Sequence, residues 1–85
     1  MDASVVDANA LLLEIGAHVR QRREQLGLSQ MKLANRAHVH CNAVGRLERG
    51  IYNPAVIVLC AIAAALNTTA SKLVAPAPIR PLKSK

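Results

Sequence analysis

Apolar positions in this chain recur every three or four residues in several short stretches, each bounded by polar or glycine-containing breaks. Leu12, Ile15, Ala17 and Val19 fall in a first stretch that Gly27 closes. Leu33, Ala34 and Ala37 repeat in a second, and Ala43, Val44 and Leu47 in a third. This spacing places each set on one face of a helix. The pattern predicts helices over residues 10–25, 30–37, 41–48 and 55–66, and a short fifth helix ending near Val74. Residues 1–9 are expected to be a flexible lead-in, and 75–85, APAPIRPLKSK, an extended, largely disordered basic tail.

The breaks carry start and stop signals. Asp7 or Asn9 can cap the first helix and Ser29 the second; Thr68 or Thr69 can cap the last. Gly50 can take the left-handed conformation that ends the third helix. Pro54 suits a helix start and holds Asn53 extended. Only residues 38–40 join the second and third helices, and so short a connection forces a steep crossing, as in a helix-turn-helix. The outer face of the third helix then carries His40, Cys41, Asn42, Gly45, Arg46 and Arg49, groups able to probe a DNA groove.

These residues resemble the Cro/phage-repressor (XRE-type) helix-turn-helix family. The resemblance is carried by Leu28, Ser29, Gln30, Leu33, Ala34, Ala37, Val39, Val44, Arg46, Leu47, Glu48, Arg49, Gly50, Asn53 and Pro54. It extends back to Ile15, Gly16, Val19 and Arg23 and forward to Leu59, Ile62, Ala63, Leu66 and Leu73. It implies an all-α, compact five-helix, lambda-repressor-like domain over residues 10–74 that binds operator DNA as a dimer. Through it, Gln30 is expected at a phosphate and Arg23 and Glu48 in a structural ion pair, with one edge of Arg23 on a phosphate as well. His38 stands where the family usually has glycine, a position that wants positive φ, and histidine tolerates that better than most residues. Arg22 replaces a commoner apolar residue and is expected to bury its stem and turn its head outward.

Composition narrows the function. The 85 residues make one small domain, 52% hydrophobic but with Tyr52 as its one aromatic residue, so the core must be aliphatic. The net charge of +6 implies a polyanionic partner. Arg20, Arg22, Arg23, Lys32, Arg36, Arg46 and Arg49 concentrate that charge around the first three helices. Cys41 and Cys60 make no disulfide framework. No signal peptide is visible, and the apolar run 55–66 is too short for a membrane span. A cytoplasmic location is expected.

His40, Cys41, Asn42 and Arg46 are the candidate base readers, because the first residues of a recognition helix enter the groove. Asn pairs two-fold with adenine and Arg with guanine. Gln30, Lys32, Arg49 and Arg23 are candidate phosphate contacts, which position a protein without reading sequence; a merely solvated polar face is the bland alternative. Arg20 and Arg36 are weaker candidates. Gly45, read as an exposed helix position, has two accounts: a side chain there would collide with DNA, or it is neutral drift. His38, His40 and Cys41 offer nitrogen and sulfur but lack a nearby fourth ligand, so no metal and no cofactor is expected. No nucleophile with an oriented base is apparent, and an enzyme is not expected.

The fourth helix carries no charge. Ile57, Val58, Ala61 and Ala64 are apolar where the family is polar, and a helix apolar all round must be buried on both sides. A second protomer is the expected cover, with Ile79 and Leu82 of the tail as the rival. The expectation is therefore a homodimeric, sequence-specific regulator on a palindromic operator of double-stranded DNA. Settings such as phage control, restriction–modification control or an antitoxin fit, without a small-molecule effector. The alternative is a protein-interaction module that keeps the fold without binding an operator.

Overall fold

Asp7 starts the helical part of the fold. In the computed structural model, which describes residues 4–75 and 79–81, its carboxylate accepts a hydrogen bond from the Ala10 N–H at 3.2 Å. Helix α1 follows over Ala8–Gln25. Ser29 caps α2 (Gln30–Ala37) by accepting from the Lys32 N–H at 3.0 Å. Helix α3 spans Cys41–Glu48 and α4 spans Val56–Ala65. Thr69 caps α5 (Ala70–Val74), its Oγ1 accepting from the Lys72 N–H at 3.3 Å. In each case a side-chain oxygen satisfies a donor that the helix itself leaves unpaired.

The turn between α2 and α3 depends on His38, which adopts φ 58°, ψ 41°. This left-handed geometry costs a non-glycine residue about 1–2 kcal/mol. It also lets the Val39 N–H bond the Ala34 carbonyl at 3.0 Å, satisfying one of the carbonyls that the end of α2 leaves unpaired. Gly27 and Gly50 take the same hand at φ 69° and 76°.

Leu33, Leu47, Ile62, Leu66, Val19 and Val44 are the largest fully buried side chains. They join α1, α2, α3 and α4 in one aliphatic core that Ile15, Ala34 and Leu73 complete. Tyr52 is half-buried at its edge. Helix α2 packs against α3 and α4, and α1 lies against α3 and α5. Gly16 sets the separation of α1 from α3. A Cβ there would stand 2.7 Å from the Glu48 carbonyl oxygen and closer still to that of Leu47. Both obstacles are backbone and cannot swing aside.

Two polar ties that the sequence did not announce hold the outer helices. His18 Nδ1 donates to the Leu73 carbonyl at 2.7 Å, binding α1 to α5. Arg22 Nε donates to the Leu66 carbonyl at 2.9 Å and its Nη2 to the Asn67 carbonyl at 3.3 Å. The head stays at the surface, as expected, and there the guanidinium cation sits on the carbonyls just past α4, where the negative end of the helix dipole attracts it.

The expected chain ends also change. Helix α1 begins at Ala8 rather than residue 10, because Asp7 supplies the cap. Ser4–Val6 form strand β1, which pairs antiparallel with β2 (Ile79–Pro81) in the register Ser4–Pro81, Val5–Arg80, Val6–Ile79. The lead-in and the tail therefore meet in a two-stranded ribbon. Strands of three residues are too short to show the alternation by which strands are read. Leu82, one of the expected tail anchors, lies outside the described residues.

Gly16→Ala should lower the melting temperature sharply. Forcing a methyl group into a tight contact costs about 1–3 kcal/mol, and at the α1–α3 contact the opposing atoms are backbone. Each kcal/mol shifts the melting of a domain this size by roughly 4–8 °C. Circular dichroism melting checks it; an unchanged midpoint would mean that α1 and α3 sit further apart.

Candidate nucleic-acid interface

Helix α3 begins with an unusual cap. His40 Nδ1 accepts a hydrogen bond from the Asn42 N–H at 3.2 Å. That requires the ring proton on Nε2, which faces outward on an exposed residue. The sequence reading placed His40 among the groove-facing residues and missed its capping role, since oxygen-bearing side chains are the usual caps.

The other end of α3 is held by a buried ion pair. Arg23 Nε donates to Glu48 Oε2 at 2.6 Å and Arg23 Nη2 to Oε1 at 3.0 Å, a two-pronged contact that fixes orientation as well as distance. Their side chains are 12% and 4% exposed. The Arg23 Nη1 donates to the Leu28 carbonyl at 2.8 Å. Hydrogen bonding to Glu48 raises the Arg23 pKa above its ordinary value, more than offsetting the effect of burial, so the guanidinium stays charged. Gln30 Nε2 also donates to Glu48 Oε1 at 3.1 Å. One carboxylate thus receives donors from α1 and α2 while itself belonging to α3. This geometry turns Arg23 inward and leaves it little surface for the phosphate contact expected of it. Gln30 is half-buried, with its amide partly committed to the same carboxylate.

The outer face of α3 bounds an open depression of about 260 Å³ lined by Gln30, Cys41, Asn42, Gly45, Arg46 and Arg49. Five of these, all but Gly45, are expected contact residues, and the fold brings them together. Asn42, Arg46 and Arg49 are exposed; Cys41 is half-buried. Lys32 is exposed on α2. Gly45 corrects the reading of an exposed helix position: it is buried beneath the side chains of Gln30 and Arg49. A Cβ there would meet Gln30 Oε1 and an Arg49 nitrogen at 3.5 Å, an ordinary contact. Arg20 instead pairs with Glu24 at 3.2 Å on the open surface of α1. Among the described residues no three metal-ligating side chains converge.

Within one chain, helix α4 is covered on one side only. Val56 and Ile57 are 75% and 82% exposed, and Cys60 and Ala64 continue that face. Val58 and Ala61, expected at the interface, pack half-buried against the core instead. A helix without a polar residue gives no periodic signal to show which side turns inward, so Val58 and Ala61 were misplaced while Ile57 and Ala64 do face outward. The true outward row is Val56, Ile57, Cys60 and Ala64, neighbours at helical spacing. Cys60 is accordingly an exposed free thiol. No helix among the described residues is long and apolar enough to cross a membrane.

A family model for the helix-turn-helix family HTH_3 matches residues 19–73. This span contains α2, α3 and α4 and all but the last residue of α5, and it begins and ends on the buried residues Val19 and Leu73. The chain belongs to the HTH_3 helix-turn-helix family. That is a family of transcriptional regulators, as its relatives show. An uncharacterized HTH-type transcriptional regulator of Methanothermobacter thermautotrophicus is 42% identical over 49 residues, covering 58% of this chain and 71% of that one. The fold resembles the restriction-modification controller protein C.AhdI of Aeromonas hydrophila, with a TM-score of 0.73 and 33% identity over 75% of this chain and 97% of that one. It also resembles the biofilm master regulator SinR in complex with DNA, with a TM-score of 0.67 and 30% identity, covering 69% and 95% of the two chains. The lambda-repressor-like, five-helix expectation is met.

Within this HTH_3 domain the ion pair is open to direct test. Glu48→Ala strands the Arg23 charge and removes a partner of Gln30. Breaking a buried pair costs about 3–5 kcal/mol, so the melting temperature should fall by at least roughly 12 °C in the absence of any ligand. A fall of a degree or two would show that Arg23 and Glu48 are not paired in solution.

Proposed function

We propose that the protein is a sequence-specific DNA-binding regulator that works as a homodimer on a palindromic operator, with α3 in the major groove. The observation that carries this reading is the exposed, donor-rich face of α3, mounted on a rigid base. Asn42 and Arg46 stand one turn apart on that face, and His40 Nε2 lies at its leading end. Asn and Arg are the side chains best suited to two-fold recognition of adenine and guanine in that groove. Lys32 and Arg49 flank them and suit phosphates on either side. Gln30 sits in the first turn of α2, where free N–H groups and the positive dipole end also favour a phosphate. Arg23 acts through Glu48, keeping α3 in place. The likeness to SinR, solved with DNA, supports the same docking.

A second copy of the chain would cover the outward row of α4. Val56, Ile57, Cys60 and Ala64 are uncharged, and a two-fold axis lets one such patch meet itself. Two α3 helices would then stand about 34 Å apart, one turn of duplex. Restriction–modification control, as in C.AhdI, is one fitting setting.

Salt and sequence test the reading together. Duplex affinity should fall steeply with ionic strength, each neutralised phosphate adding about −0.9 to the log–log slope. A salt-independent affinity would count against it. Arg46→Ala should weaken operator binding by roughly 1–3 kcal/mol and relax preference at one base pair per half-site. Arg49→Ala should weaken all sequences alike. Selection from random duplexes would reverse these assignments if Arg46→Ala kept its base preference.

Ile57→Glu tests the dimer. The residue is 82% exposed, so the fold should survive while two like charges meet near the axis. Sedimentation should show a monomer with native helix content and much weaker operator binding. A protein that stays dimeric would place the interface elsewhere.

A further inference from the structure

The two ring nitrogens of His40 are committed to different tasks. A backbone N–H only donates, so the Asn42 N–H that reaches Nδ1 at 3.2 Å requires a lone pair there. The capping ring is therefore neutral and its proton sits on Nε2. A protonated ring carries two donors and no acceptor, and it could not hold the cap. His40 is exposed at the start of α3, and none of the hydrogen bonds among the described residues uses Nε2. The fold thus sets one uncharged donor of fixed sense at the end of the helix that enters the groove first. Its neighbours on this face differ. Lys32, Arg46 and Arg49 are exposed cations, and the Asn42 amide can donate or accept.

We infer that His40 contacts the duplex as a neutral donor: Nδ1 holds the start of α3 while the Nε2 proton goes to a hydrogen-bond acceptor of the DNA. This deepens the DNA-binding reading just given and rests on it. The acceptor is a phosphate oxygen or an acceptor atom of a base edge; a cytosine amino group, which only donates, is excluded. Two consequences separate this contact from those of the surrounding cations. It neutralises no phosphate, so it adds nothing to the salt dependence of binding. It is also formed before DNA arrives, because the cap fixes the tautomer and restrains the ring, and less ordering is left for the binding step. The same bond holds the Asn42 backbone, so His40 positions a candidate base reader as well.

Histidine suits both tasks where the usual residues suit one. Serine, threonine, asparagine and aspartate cap well, but each ends close to the backbone it caps. An imidazole meets the same N–H with one nitrogen and carries the other across the ring, further from the helix end. Arginine or lysine would reach a phosphate but has no acceptor with which to cap, and its charge would oppose the positive end of the α3 dipole. The neutral ring avoids that repulsion and still offers a donor.

Two variants separate the tasks. His40→Ser keeps a cap and removes the outward nitrogen; His40→Ala removes both. On the duplex that the parent selects from a random pool, His40→Ser should melt close to the parent but bind about five-fold more weakly, the worth of one neutral hydrogen bond. His40→Ala should melt lower as well. The log–log salt slope of His40→Ser should match the parent's, whereas Arg49→Ala should reduce its magnitude by about 0.9. Single-atom changes in the duplex then locate the acceptor: 7-deazapurines remove N7, thio-bases weaken the O6 and O4 acceptors, and methylphosphonates remove a phosphate oxygen. One position per half-site should weaken the parent more than His40→Ser. A base change there names a base acceptor, a methylphosphonate names a phosphate, and either supports the contact. Equal affinity of His40→Ser and the parent would overturn it, as would the absence of any position at which the two differ. A salt slope reduced by about 0.9 in His40→Ser would also overturn it, because the ring would then act as a cation. His40→Ala melting with the parent would remove the cap and the fixed tautomer with it. Failure of the parent to select any duplex would instead sink the DNA-binding reading itself.

Discussion

Three helices of this domain converge on one carboxylate. Glu48 ends α3, receives two donors from Arg23 of α1 and a third from Gln30 of α2, and lies beside the point where Gly16 lets α1 touch the α3 backbone. Steric contact brings the helices to a fixed distance, and the ion pair fixes their rotation. Neither suffices alone. A close contact without the charge pair leaves α3 free to turn about its axis, and a charge pair without the glycine would be held apart by the methyl group of an alanine. Because the depression on the outer face of α3 begins with Gln30, its shape is an extension of this buried arrangement.

The order of elements was legible in the sequence because these helices are short and sharply punctuated. Helices α2 and α3 have the expected bounds, since Ser29, His38 and Gly50 mark their ends chemically. The Arg23–Glu48 pair was legible only through family resemblance; no local pattern links residues 25 positions apart. What escaped reading has two physical sources. Contacts to backbone carbonyls, as made by His18 and Arg22, leave no trace in the partner's identity, because any residue supplies a carbonyl. Uniform composition hides orientation, which is why Val58 and Ala61 were placed outward on α4 and proved to face the core.

Gly45 illustrates a different limit. Its position in a helix was read correctly and its surroundings were not. Exposure was inferred from the polar residues on either side, yet those long side chains, Gln30 and Arg49, are what bury it. A polar face built from long side chains can conceal a hollow beneath them, and the hollow is a property of the assembled surface rather than of any one residue.

Two positions of this fold where glycine would be the simplest choice have opposite evolutionary latitude. Gly16 is confined by neighbouring backbone, so every larger residue is excluded. His38 is confined only by its own φ, with its side chain exposed. Glycine there would relieve about 1–2 kcal/mol of local strain but would also widen the unfolded ensemble by about 0.4–1 kcal/mol. The second effect offsets about half of the first. The turn can therefore accept residues that tolerate the left-handed region, carrying new chemistry next to the reading helix at a modest cost in stability, while the α1–α3 contact admits no such exchange.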